Sequence, residues 1–207
     1  MNPDFEKEVI YSLYVDEYIR KKAEQFKNEG YTNFERVKVM DVTLEIVAEI
    51  QILIGFDATG YQIYSNTDTY KHIEDRHGEN GTHDQSMKDM RDVALMGYVL
   101  RCFDNVELVV KDGKPDITYA FSNKSGKPTN MIRFSKTIED IHYVIIATPD
   151  SKYKKLWVMS EYKERKKDTS QPSNDITVLP PTSETHSDNV SSKNIIPQNS
   201  KNATSNK

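Results

Sequence analysis

The chain has 207 residues, of which 36% are hydrophobic and 29% charged, with 28 Lys and Arg against 32 Asp and Glu and a formal net charge of −4. That length suits one domain with a real core plus an appendage, and the single Cys102 excludes an intrachain disulfide framework. The acidic balance argues against a strongly basic nucleic-acid binder, and no run is long enough to span a bilayer.

Asn2-Pro3, a cap followed by proline at the first helical position, opens a helix predicted over residues 3–28, with Phe5, Val9, Leu13, Ile19, Ala23 and Phe26 as its apolar side and Gly30 beyond its end. The short apolar run VIYSLYV is followed at once by Asp16, Glu17 and Arg20, so no secretory signal is read there and a cytosolic location is expected. Arg36 to Met40 reads as a short strand. Val42 to Ile54 reads as a second helix with a broad apolar face, stopped by Gly55, and Tyr61 to Tyr64 as a brief extended segment.

The tract from Thr67 to Tyr98 holds three of the five histidines, His72, His77 and His83, within twelve residues. Thr67 or Asp68 is the expected cap of a helix that buries Tyr70 and Ile73 and stops at Gly78. Ser86, with Asp89 three residues on, reads as the start of another helix, whose apolar face is Met87, Met90, Val93, Ala94 and Gly97. At 100° per residue His72 and Arg76 lie about 40° apart, whereas His72 and His77 diverge by about 140°. Neither HIEDRH nor GTHDQS has the spacing of a zinc-binding helix, so no metal and no other cofactor is expected.

From Asn105 the period changes from helical to alternating. Val106, Leu108 and Val110 fall on one face, Asp112-Gly113 offers a hairpin turn, and Ile117, Tyr119 and Phe121 alternate next. Asn123 to Pro128 reads as a turn, followed by strands near Met131 to Phe134 and His142 to Thr148, a break at Pro149-Asp150-Ser151, and a final strand from Leu156 to Tyr162. Period two places Leu156, Val158, Ser160 and Tyr162 on one face and Trp157, Met159 and Glu161 on the other. Helices first and a meander afterwards predict an α+β fold, with N-terminal helices packed on a C-terminal antiparallel sheet of four or five strands.

After Tyr162 there is no aromatic residue, and Ser, Thr, Asn, Pro and Lys dominate, so residues 164–207 are expected to be a disordered tail whose small apolar patches are ITVLPP and NIIP. The expected organisation is an N-terminal helix over 1–34, a domain over 35–163 and the tail over 164–207. Charge is unevenly divided: residues 1–104 carry 12 basic and 20 acidic side chains, residues 105–162 carry 9 and 7. The strand half is the expected RNA-facing half, with Lys124, Lys127, Arg133 and Lys136 as phosphate partners.

The segment HIEDRHGENGTHDQSMKDMRDVALMGYVLRCFDNVEL, followed by FSNKSGKPTNMIRF and HYVIIATPDSKYKKLWVMSEY, resembles the phage-associated branch of the barnase/EndoU/colicin/RelE-like nucleases over about residues 35 to 162. The resemblance rests on an ordered set: an H-I-x-x-R-H helix, a helix beginning near S-M-K-D, an N-K-x-G-K-P hairpin and a closing strand ending S-x-Y. It implies a metal-independent endoribonuclease that works by 2′-hydroxyl attack and leaves a 2′,3′-cyclic phosphate. It implies further a phage- or mobile-element-encoded effector that acts in a host cytosol, by delivery with phage particles among other routes.

On that resemblance His77 and then His72 are carried over as catalytic, with Arg76 and Lys124 or Lys127 as phosphate or transition-state ligands and Ser160 and Tyr162 as hydrogen-bonding groups in the closing strand. His83 and Arg133 complete the substrate-binding candidates. The implied partners are RNA, tRNA included, and an immunity or phage structural protein, with no membrane. Competing structural roles are a core-facing His72 and a helix-end His77 that sits at the periphery and serves the free carbonyls. Two other functions fit the same residues: a catalytically silent interaction or virion-associated module, favoured by the acidic N-terminal half, and a phosphodiesterase of small nucleotides.

Overall fold

A computed structural model describes Tyr11 and residues 13–83, 86–118 and 129–164. Its helices are α1 (Glu17–Asn28), α2 (Leu44–Ile54), α3 (Thr67–His77), α4 (Met90–Val93) and α5 (Met96–Arg101). The main strands are β1 (Arg36–Asp41), β2 (Gln62–Asn66), β3 (Asn105–Leu108), β8 (Ile132–Ile138), β9 (Ile141–Asp150) and β10 (Lys155–Glu164). Between β3 and β8 lie two short ribbons, β4 (Val110–Lys111) with β5 (Lys114–Pro115), and β6 (Ile117–Thr118) with β7 (Thr129–Asn130).

The fold is α+β, as the change of period predicts. Its sheet is larger than the four or five antiparallel strands expected: six strands run in the order β1-β2-β10-β9-β8-β3, and β2 joins β10 in parallel. The added strands come from the N-terminal half, where β1 and β2 pair antiparallel. They escape a count made only after residue 105.

The core lies on one side of this sheet. Val37, Val39, Ile63, Leu156, Val158, Ile145, Ala147, Ile132 and Phe134 meet Ile19, Ala23 and Phe26 of α1, Ile46 and Ile50 of α2, Tyr70 and Ile73 of α3, and the run from Val93 to Leu100. Each fully buried Ile, Leu or Phe here contributes roughly 1.5–3 kcal/mol.

Four element boundaries differ from the sequence expectation. The helix predicted over 3–28 is interrupted before Glu17, because the Asp16 carboxylate accepts the backbone N–H groups of Tyr18 and Ile19 and caps a fresh helix. α3 is capped by Asn66, one residue earlier than expected, in a capping box with Thr69. The helix expected from Ser86 begins at Met90 with Asp89 as its cap, and Ser86 Oγ instead accepts the Lys163 backbone N–H of β10 at 3.2 Å. The break expected at Pro149 is absent: β9 runs through Pro149, which stands opposite Leu156. The Asn123–Pro128 turn and the expected tail from residue 165 lie outside the described residues.

The closing strand contains an irregularity with large consequences. Val158 pairs with Ala147 but Ser160 pairs with Ile146, so Met159 is an extra residue, a β-bulge in β10. Beyond it Glu161 stands opposite Ile145 and Lys163 opposite Tyr143, on the core side, while Ser160, Tyr162 and Glu164 stand opposite Ile146, Val144 and His142 on the other. The expected grouping of Leu156, Val158, Ser160 and Tyr162 is therefore wrong. Ser160 and Tyr162 share the face of Trp157, and Glu161 shares that of Leu156 and Val158.

Candidate active site

The histidine tract is positioned by the way α3 ends. β2 pairs with β10 only over Lys155–Trp157, after which the chain turns at Asn66 into α3, and this helix runs along the edge of β10 with Thr69 Oγ1 bonded to the Val158 carbonyl at 2.8 Å. The last turn of any helix leaves carbonyls without partners. Here the following loop folds back to meet them: Gly78 N–H reaches Glu74 O, Thr82 N–H reaches Asp75 O, His83 N–H reaches Arg76 O and Met87 N–H reaches His77 O, at 2.8–3.1 Å. Gly78 permits this return, since a Cβ at that position would stand 2.6 Å from Glu74 O.

The fold-back gathers three imidazoles and a phenol. The His77 ring stacks on Tyr162 with centroids 5.1 Å apart and planes at 21°, and meets His72 edge-on at 6.3 Å and His83 edge-on at 5.8 Å. His77 is buried, 7% exposed, while His72 and His83 face solvent. The competing structural roles are thus reversed: His77 is the packed residue and His72 the accessible one. The divergence of His72 and His77 on the helical wheel holds, and they meet through ring edges rather than through parallel side chains.

Electrostatics distinguish the accessible histidine. Desolvation first, then the neighbouring His77 and Arg76, push the His72 pKa below its ordinary 6.5, against a smaller opposing effect of Asp75. His72 is therefore an unprotonated acceptor at neutral pH. Arg76 is exposed and forms no ion pair among the described residues, which leaves its guanidinium open to an anion.

The sheet contributes the remaining polar groups in rows across its strands. Glu107, Arg133, Ile146 and Ser160 form one row, Ser135, Val144 and Tyr162 the next, and Thr137, His142 and Glu164 the third. Ser160 Oγ is buried and has no hydrogen-bond partner among the described residues. Arg133, expected to bind phosphate, is mostly buried and bridges Glu107 and Glu164 at 2.8 Å each, with a further contact to His142 Nε2 at 3.4 Å. Burial opposes its charge, and Glu164, Tyr162 and Glu107 restore it. Lys136 pairs with Asp104 at 2.6 Å. Lys124 and Lys127 lie outside the described residues.

Sequence reasoning missed His142 and Glu164. The signal was present: His142, Val144, Ile146 and Thr148 alternate on the face away from the core, so a histidine at that register had to join the face that carries Tyr162. It also missed the buried group behind Tyr162. Asp92 accepts from Tyr11 Oη at 2.8 Å, Tyr143 Oη at 3.0 Å and Lys163 Nζ at 2.6 Å. Beside it the fully buried Glu161 carboxyl has no hydrogen-bond partner among the described residues. Burial, reinforced by Asp92 and opposed by Lys163, pushes Glu161 well above the carboxylate range, so it is held protonated.

The arrangement has the groups that acid–base chemistry needs: adjoining imidazoles, one of them with its proton disfavoured, a phenol, and, among the described residues, an unpartnered serine hydroxyl on the neighbouring row and an unpaired arginine on the same helix. Among the described residues no three His, Cys, Asp or Glu are grouped to hold a metal ion, and no helix is long and apolar enough to cross a membrane. No curated protein and no solved structure matches the chain. Residues 41–171, more than half of its length, match the family described as phage-Barnase-EndoU-ColicinE5/D-RelE like nuclease, and the chain belongs to that nuclease family.

Proposed function

We propose that the protein is a metal-independent endoribonuclease. The observation that carries the reading is the ring cluster, in which His77 lies within 6.3 Å of His72, 5.8 Å of His83 and 5.1 Å of Tyr162. Cleavage without a metal needs a base for the 2′-hydroxyl proton, an acid for the leaving 5′-oxygen and donors for the charge on phosphorus.

His72 fits the base because its surroundings disfavour its proton. It takes the 2′-hydroxyl proton as O2′ forms a bond to phosphorus. The P–O5′ bond breaks, and protonated His77, oriented by its stack on Tyr162, gives its proton to O5′. The products are a 2′,3′-cyclic phosphate and a free 5′-hydroxyl. Arg76 and the hydroxyls of Ser160 and Tyr162 serve the phosphoryl oxygens. The cluster stands over an acidic helical half, so a single-stranded segment that enters along the sheet face is favoured over a duplex, which needs a broad basic surface.

The test is cleavage of total RNA and of isolated tRNA in excess chelator, with the ends analysed. Products that end in 2′,3′-cyclic phosphate, and protection by a 2′-deoxy substitution at the cleaved position, are expected. Strict dependence on an added divalent ion, or equal cleavage of DNA, overturns the mechanism.

A further inference from the structure

On the same sheet face as Tyr162, toward the other end of β10, lies a group of cations and aromatic rings that the acid–base set does not use. Register places Lys155 opposite Gln62, Trp157 opposite Tyr64, Lys38 opposite Tyr64 and Arg36 opposite Asn66, so these side chains share one surface. Lys155 Nζ sits 3.9 Å from the centroid of Tyr64 and 5.2 Å from that of Trp157. The Arg36 guanidinium carbon is 5.9 Å from both Trp157 and Phe34. Phe34 is 59% exposed, and in the turn before β10 Lys152 covers Tyr153, itself 42% exposed.

Within this patch Lys38 is paired with Asp41 at 2.9 Å, whereas Arg36 and Lys155 are not neutralised among the described residues. Most cations placed elsewhere on the domain are in ion pairs, including Arg20, Lys22, Lys27, Lys71, Arg133, Lys136 and Lys163. Asp150, the acid that acts on Lys155, accepts from Trp157 Nε1 and from the backbone N–H groups of Lys152 and Tyr153. Burial and the proximity of Arg36 depress the Lys155 pKa, against a smaller pull from Asp150. Two like charges held over shared rings are relieved by an anion between them.

We propose that Arg36, Lys155, Tyr64 and Phe34 form a subsite for the single-stranded RNA that flanks the cleaved bond, with a phosphate between the two cations and unpaired bases stacked on Phe34 and the edge of Tyr64. Alternation of cations and aromatic faces is the chemistry of single-strand binding, where stacking fixes bases and basic groups track the backbone. From Lys155 to Tyr162 the strand covers about 20 Å, so the patch and the ring cluster stand at the two ends of one face of β10, with Trp157 and Ser160 buried between them. Of the four residues, Arg36 and Phe34 precede the family-matched residues 41–171, and Tyr64 and Lys155 lie within them. The proposal rests on the reading of RNA as substrate.

The test separates binding from chemistry. A fluorescent single-stranded RNA of twelve mixed nucleotides, 2′-O-methylated throughout and so uncleavable, is titrated against the full chain, Arg36→Gln/Lys155→Gln and Phe34→Ala. The double variant is expected to weaken binding tenfold or more and to flatten the slope of log affinity against log salt by about 0.7, the value for one lost single-strand phosphate contact. Phe34→Ala, a change at an exposed ring, is expected to weaken binding several-fold with the salt slope unchanged, and the charge-conserving Lys155→Arg to keep the salt slope of the parent.

If this strand binds with the expected dependence while no RNA is cleaved, the subsite stands and the nuclease mechanism falls. If RNA is cleaved but binding and KM are the same in all variants, the subsite is overturned and the patch is left to a protein partner. Equal affinity for the 2′-O-methyl duplex also overturns it, because paired bases cannot stack on Phe34.

Discussion

The ring of His77 lies on the ring of Tyr162, 5.1 Å away and nearly parallel, and so joins the end of α3 to the outer face of β10 across the edge of the sheet. The stack holds a buried imidazole in one orientation without burying its function, since His72 and His83 approach from the solvent side. Tyr162→Ala is expected to lower single-turnover cleavage at least tenfold by freeing His77. Tyr162→Phe keeps the stack, so any loss it shows measures the hydroxyl alone.

His77→Ala is expected to slow cleavage roughly a hundredfold, the scale of a positioned acid. Because the residue is 7% exposed, the same change is expected to lower the thermal midpoint. His72→Ala removes an exposed side chain and is expected to cost a similar factor in rate with the midpoint unchanged. Both rates are compared at temperatures where each variant is fully folded. Full activity in a folded His72→Ala protein removes His72 from the mechanism.

The depressed His72 pKa sets the acid side of the pH profile. A base must be unprotonated, so log kcat/KM is expected to rise with pH to a plateau whose midpoint lies below 6.5. The ring resonances of His72, followed by NMR, are expected to titrate at the same pH. A midpoint above 6.5 assigns the base to another group.

Gly78 has φ −69, a value open to any residue, and its restriction is steric: a Cβ would stand 2.6 Å from Glu74 O and 2.8 Å from the Glu74 carboxyl carbon. Gly78→Ala is expected to cost about 1–3 kcal/mol by overpacking. It is also expected to move the loop that carries His83, and so to reduce activity beyond the loss of folded protein, as denaturant titration and cleavage on one preparation will show.

Glu161 keeps its proton in the folded protein at pH values where the unfolded chain has released it. Its contribution to stability is complete below the ordinary value of 4.5 and is lost as pH rises toward its own raised value. Glu161→Gln removes this titration, so the stability of the variant relative to the parent is expected to grow by about 1.4 kcal/mol for each pH unit within that window. Chemical denaturation at pH 5, 6, 7 and 8 measures it, and a pH-independent difference shows that Glu161 is ionised.

The period of the apolar residues carries the helices, the strands and their division into two halves, because burial of one face follows directly from spacing. The α+β class was legible for that reason, whereas the association of His77 and His72 with the closing strand came from the family resemblance and not from spacing. The parallel join of β2 to β10 was not legible, since nothing local in QIYSN announces its partner. Nor was the role of Ser86, which has the neighbours of a helix cap but whose hydroxyl is claimed by Lys163 of a distant strand. Arg133 reads as a free cation until Glu107 and Glu164 are brought beside it by the pairing of three strands.

The extra residue at Met159 divides β10 as an inserted letter shifts a reading frame. Upstream the strand spells core with Leu156 and Val158; downstream the same positions would have delivered Ser160 and Tyr162 into apolar packing and turned Glu161 and Lys163 outward. Deletion of this one residue would therefore harm the protein more than most substitutions around it, and length at this point is as strictly specified as chemical identity is elsewhere. Variation among members of the family is accordingly expected to exchange the side chain at Met159 freely while preserving the count of residues between Val158 and Tyr162.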